Sequence, residues 1–303
     1  MTTISGTWRI NANGSLGLLT LASNDNASFQ GSVTFDDIGG RTDRVTGTWN
    51  DVAGQITFTR FLSDTGATQT YSGVLGDNHP ENLILAGSFT ESDTPTISGW
   101  VAAPLQPAVT YVLSLDEFHI KQTRDFFSIP QATDTDYAAL NIQVLSQVGY
   151  TEVLKLNDPI GKVHGGEDHA TGLQFTFRLQ PNEALTFSYL IVNSGFDGSN
   201  AQQLQQFLDK VSTATRDALN VIYPAEKSIW EVLNDLTQFL NSFLYSGCDG
   251  IVAGDKVTQT AAELNQVVPA SGNRYAETRE YTYHSQATCA NPDYTVTWSF
   301  TRQ

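Results

Sequence analysis

The chain has 303 residues, enough for two domains of ordinary size, each with its own core. Its 16 Lys and Arg stand against 32 Asp and Glu, a net charge of -16. The average surface therefore repels phosphate backbones and anionic headgroups, and the expectation is no nucleic-acid partner. No window approaches the uninterrupted apolar length of a spanning helix.

The chain opens Met1-Thr-Thr-Ile-Ser-Gly-Thr-Trp8, without a basic n-region, an apolar h-region or a small-residue cleavage site. Composition nevertheless resembles that of an extracellular β-protein, with Met1 the only methionine and aromatic residues at 11%. Localisation is left open between an extracellular site reached without a Sec signal and the cytoplasm.

Residues 1–105 carry short alternating runs at Leu16 to Leu21, Gly31 to Phe35, Arg44 to Trp49, Gln55 to Phe61, Thr68 to Leu75, Leu83 to Thr90 and Ile97 to Ala102. Turn-rich separators divide them: Asn24-Asp25-Asn26, Asp36-Asp37, Asn50-Asp51, Asp64-Thr65-Gly66 and Asp77-Asn78. Strands are repeatedly entered through glycine, as in Gly6-Thr7-Trp8, Gly47-Thr48-Trp49 and Gly87-Ser88-Phe89. Seven or eight strands with tight turns and no helical period between them predict an antiparallel meander, which removes its edges by closing into a barrel.

The opening Ile4-Ser5-Gly6-Thr7-Trp8, the Asn13-Gly14-Ser15 turn leading a hydrophobic strand, and glycine-containing strands that end in aromatic residues resemble the avidin-like branch of small eight-stranded barrels. The resemblance covers about a third of the chain and implies a fold with room for side chains or one small ligand. The Trp8-to-Ser15 spacing is one residue longer than the avidin pattern, so biotin binding is not implied. Trp8, Asn13, Ser15, Trp49, Tyr71 and Trp100 are the candidate ligand-binding residues, and the three tryptophans would otherwise plug one barrel end as core. Barrels of this branch pair through their faces, which implies a homo-oligomer.

Pro104-Leu-Gln-Pro107 interrupts the ladder and marks a boundary. Residues 109–303 then read as a β-sandwich with a helical insertion. Its predicted strands are Tyr111 to Leu115, Phe118 to Thr123, Tyr137 to Leu145, Leu173 to Leu179, Leu185 to Val192, Lys256 to Thr260, Tyr275 to Tyr283 and Tyr294 to Thr301. Between them, Asn200 to Gly247 shows two apolar stripes broken by Pro224: Leu204, Phe207, Leu208 and Val211, then Ile229, Val232, Leu233 and Leu236. The stripes predict a helical hairpin that covers the sandwich. A membrane-active, pore-forming hairpin is the alternative, and Asp209, Lys210, Arg216, Asp217, Glu231 and Asp235 argue against its insertion alone.

Cys248 and Cys289 flank a β-patterned stretch of about 40 residues, and residue counting leaves them paired or free. This half, with Phe118-His-Ile, Tyr189-Leu-Ile-Val-Asn-Ser-Gly195, Cys248-Asp-Gly250 and Tyr294-Thr-Val-Thr-Trp298, resembles a module of uncharacterised bacterial and fungal proteins. The two cysteines recur together in that module, so the resemblance implies a disulfide. It implies no activity.

No His-Glu-x-x-His, Gly-x-Ser-x-Gly, phosphate loop or dinucleotide fingerprint occurs. His164-Gly-Gly-Glu-Asp-His169 sets two imidazoles and two carboxylates in a glycine loop, a setting that favours solvated side chains over a metal site. Asp134 and Asp136 are candidate calcium ligands, with turn capping as the plainer role, and no other cofactor is expected. Paired carboxylates from distant strands leave no sequence trace, so a hydrolase of unrecognised family stays among the alternatives. The function these residues favour is non-enzymatic binding of a carbohydrate or small ligand through aromatic-rich β surfaces, since ring faces pack on sugars while amides and acids orient hydroxyls.

Overall fold

The computed structural model describes residues 4–23, 27–36, 39–77, 83–123, 134–146, 148–193, 206, 209, 248–282 and 289–303. The chain divides into two compact units: Met1–Ala108 with 145–151 and 180–183, and the remainder. The predicted 200–247 hairpin lies outside the described residues apart from Gln206 and Asp209, which are helical. Among the described residues no helix is long and apolar enough to cross a membrane.

The first unit is a closed eight-stranded antiparallel barrel. Its strands follow chain order: β1 (Gly6–Ala12), β2 (Ser15–Ser23), β3 (Ser28–Phe35), β4 (Thr42–Asn50), β5 (Gln55–Phe61), β6 (Thr68–Asp77), β7 (Ile84–Glu91) and β8 (Thr94–Pro104). β8 returns to β1 with Ala12 opposite Trp100 and Trp8 opposite Pro104, which removes the open edges. The period of two sends Ile10, Leu19, Val33, Val45, Ile56, Phe58, Tyr71 and Leu85 inward to a single core. Trp8, 3% exposed, donates its indole N–H to the Ile4 carbonyl at 2.9 Å, so the chain entry is tied to the core it fills.

The second unit holds two four-stranded sheets. One runs β11 (Gly149–Val163), β10 (Asp134–Ser146), β13 (Ala184–Asn193), β14 (Gly250–Thr260); the other runs β12 (Asp168–Leu179), β9 (Val109–Gln122), β16 (Asp293–Arg302), β15 (Arg274–Thr282). Residues of both sheets share one hydrophobic cluster, with Phe187 edge-on to Trp298 at 5.3 Å. The two runs at Tyr111 and Phe118 are one continuous strand, β9, because its neighbours absorb register shifts near Leu115 instead of breaking the ladder. β11 has no counterpart among the predicted strands. Pro159 sits in its middle, and its place at a sheet edge explains how a proline is accommodated there. One short helix, α1 (Ala261–Val267), follows β14; Thr260 and Glu263 form a capping box at its start. Cys248 and Cys289 are joined in a disulfide, as the resemblance implied.

Candidate functional site

A meander places alternate turns at the same end of the barrel. The β1–β2, β3–β4, β5–β6 and β7–β8 turns therefore share one mouth, and residues near them line a cavity of about 400 Å³. Its walls include Asn13 and Ser15 from the first turn, Phe35 and Arg41 from the second, Arg60 and Gln69 from the third, and Phe89 and Glu91 from the fourth. The volume lies toward the small end of the ligand-pocket range, ~300–1,000 Å³.

Polar side chains at inward positions organise the mouth. Asp43, on the same face of β4 as Val45, has no exposure at all. Arg60, two residues past Phe58 on β5, donates to Asp43 Oδ2 from Nε at 2.9 Å and from Nη2 at 2.6 Å. The Ser63 backbone N–H and hydroxyl donate to Asp43 Oδ1 at 3.0 and 2.8 Å. Burial alone would push this carboxyl up, but the two Ser63 donors and the Arg60 guanidinium outweigh it and hold Asp43 at about 2. The Arg60 guanidinium also lies 4.7 Å from the Phe35 ring centroid, a cation–π contact. Arg41 is balanced likewise, with Nε 3.3 Å from Asp43 Oδ1 and a second ion pair to Asp64.

From Arg60 the hydrogen bonds run on along the wall. Its Nη1 donates to Gln69 Oε1 at 2.9 Å, and Gln69 Nε2 donates to Glu91 Oε2 at 2.9 Å. The Tyr71 hydroxyl also donates to Gln69 Oε1, at 3.0 Å. Burial pushes the Tyr71 phenol up to about 12, against the opposing pull of Arg60, so it acts as a neutral donor at ordinary pH.

Of the residues expected to bind ligand, Asn13, Ser15 and Tyr71 come together around this cavity. Trp8, Trp49 and Trp100 are buried core residues outside its lining. Trp100 lies below the Tyr71 and Phe58 rings, edge-on to both, and donates its indole N–H to the Ser72 carbonyl at 3.1 Å. Gly73 makes that position available, since a Cβ there would fall 2.6 Å from Trp100 Cζ2. The Asp43–Arg60–Gln69–Glu91 chain was not anticipated from sequence. Its signal was present: the alternation that sends Ile56 and Phe58 inward also sends Arg60 inward, and a charge on the core face of a strand requires a partner.

In the second unit, Asp136 is fully buried and accepts the Tyr294 hydroxyl at 3.0 Å, while Asp134 begins β10. Glu167 draws the glycine-loop histidines together: His164 Nδ1 is 3.3 Å from its Oε1, and His169 Nε2 is 3.1 Å from its Oε2. Among the described residues no group of three or more His, Cys, Asp or Glu could hold a metal ion.

No family model matches the chain, and no curated protein matches it. Among solved structures it is similar to a fragment of Extended-Synaptotagmin 2 that carries the SMP domain and two C2 domains, at 6% identity and a TM-score of 0.27, covering 100% of this chain and 55% of that one. A second match, to the paired C2 domains of the same protein alone, has 7% identity and a TM-score of 0.23 and covers 100% of this chain and 94% of that one. The chain thus spans about half the length of the first of these structures, and the likeness is too slight to support an argument.

Proposed function

We propose that this is a non-enzymatic binding protein that takes a carbohydrate or another small polar ligand into the barrel mouth. The observation that carries the reading is a cavity of about 400 Å³ whose wall joins aromatic faces to a fixed chain of hydrogen-bonding groups. Folding has already met the cost of ordering that chain, so a ligand meets prearranged donors and acceptors. Chemistry is disfavoured by the same geometry. Glycoside hydrolysis needs two working carboxyl groups, and Glu91 is the one carboxylate among the lining residues, while Asp43 behind it is sealed by Arg60 and Ser63. The test is ligand-observed NMR on the full chain with a panel of neutral saccharides and small polar heterocycles, repeated on Gln69→Leu. Binding of at least one compound by the wild type and its loss in the variant is the expected result. A blank panel, or binding indifferent to Gln69, contradicts the proposal.

A further inference from the structure

Strand register sets five inward residues in one row across the barrel wall: Gly47, Phe58, Tyr71, Phe89 and Ser98, each opposite the next. The three rings stack face to face, Phe58 on Tyr71 at 4.5 Å and 8°, Tyr71 on Phe89 at 4.7 Å and 13°. The row closes differently at its two ends. On the β4 side, Gly47 leaves a space that Phe29 fills edge-on, 6.4 Å from Phe58; a Cβ on Gly47 would fall 2.6 Å from Phe29 Cζ. On the β8 side the row stops at Ser98, which is too small to cover the half-buried face of Phe89, and both residues line the cavity.

One step nearer the mouth, the row of Arg60, Gln69 and Glu91 runs parallel to the rings and ends on the same side. Glu91 accepts Gln69 through Oε2, and its Oε1 accepts nothing from the described residues. Ser98 lies at the base of the gap, and Asn13 and Thr96 also line the cavity. The gap therefore has a ring face on one side, a carboxylate at its outer edge, and hydroxyl and amide groups elsewhere on the cavity lining.

Resting on the reading of the mouth as a small-ligand site, we infer that this gap seats one neutral pyranose ring, its C–H face on Phe89 as the fourth member of the stack and one hydroxyl donating to Glu91. The Ser98 and Thr96 hydroxyls and the Asn13 amide can each give and receive, as the hydroxyls on the rim of a sugar do. Carboxylate-bearing sugars are excluded by charge: Arg41 and Arg60 are already neutralised by Asp43 and Asp64, and the charge that faces the gap is negative.

The experiment is saturation-transfer NMR and calorimetry on the full chain with glucose, galactose and mannose, beside glucuronic acid and the heterocycles adenine and guanine. The expected result is binding of at least one neutral hexose, with ring C–H protons saturated most strongly, and no gain for glucuronic acid. Glu91→Gln weakens binding roughly tenfold, the scale of a hydrogen bond to a charged group. Ser98→Phe fills the gap with the chain's own ring and abolishes binding; its near-UV circular dichroism shows whether the barrel survives, and Ser98→Leu replaces it if not. A heterocycle that binds where no hexose does overturns the saccharide inference and leaves the small-ligand reading standing. Hexose binding unchanged in the Ser98 variant overturns the seat. Glucuronic acid binding above glucose, improved by Glu91→Gln, overturns the neutral assignment. A blank across all six compounds removes the inference and the underlying reading together.

Discussion

Replacing Asp43 with Asn tests whether the mouth is held by the buried ion pair. The substitution keeps shape but removes the anionic partner of the Arg60 guanidinium, in a residue 6% exposed, and sets an amide NH2 against either the Arg60 or the Ser63 donors. Removing one member of a buried pair costs ~3–5 kcal/mol, and the Phe35 contact keeps the loss toward the lower end, about 3 kcal/mol. Replacing both charges, as in Asp43→Leu with Arg60→Met, leaves no unpaired Arg60 charge, although the Ser63 donors and Arg41 still lose their acceptor, so the double variant loses less than the sum of the two single variants. A pH dependence accompanies this. Asp43 is held at about 2 against an ordinary 3.8, so its contribution is complete above pH 3.8 and is lost as pH falls through about 2. The amount is about 2 kcal/mol, and Asp43→Asn removes that slope. Hydrogen exchange of peptides covering β4 and β5, followed by mass spectrometry, reads the barrel apart from the second unit. Single variants as stable as wild type, or a double variant that loses the sum of the two, would refute the reasoning.

Reducing the Cys248–Cys289 bridge, or replacing both cysteines by Ala, opens a loop with a sequence separation of 41. Chain entropy puts the loss at ~4 kcal/mol, so the melting temperature of the second unit falls by about 8–16 °C in calorimetry; an unchanged melt contradicts this. Gly73→Ala drives a Cβ against the Trp100 ring and the Ala86 carbonyl, at 2.6 and 2.7 Å, and costs ~1–3 kcal/mol with a red-shifted tryptophan emission. Emission and stability like those of wild type count against it. Burial pushes Tyr71 and Tyr281 up to about 12 and Tyr189 well above its ordinary value. Alkaline titration of phenolate absorbance therefore leaves these three of the 11 tyrosines protonated until the fold itself is lost, and full ionisation well below about pH 12 in the folded chain is the contrary result.

The barrel was legible in the sequence because each strand has one wet and one dry face, so Gln55 to Phe61 or Thr68 to Leu75 announce themselves by alternation, with Asn, Asp and Gly marking the turns between. β11 was not, since Pro159 and a weak alternation resemble a loop until the strand is seen at an edge. The site was half legible. Asn13, Ser15 and Tyr71 drew attention as polar or aromatic residues in a resembling pattern, and the cavity gathers them. Trp8 and Trp100 drew the same attention, but their size and their bonds to the Ile4 and Ser72 carbonyls place them in the core. Which rings touch depends on register, which alternation alone does not set: Phe58, Tyr71 and Phe89 are far apart in sequence and become one stack only when β5, β6 and β7 are paired.

The most direct test of the central claim is peptide-resolved hydrogen exchange of the full chain with and without a bound hexose from the panel. The account predicts slowed exchange in the segments that carry Asn13 to Ser15, Gln69 to Tyr71 and Phe89 to Ser98, with the second unit unchanged. Protection confined to the second unit, or none at saturating ligand, would contradict it.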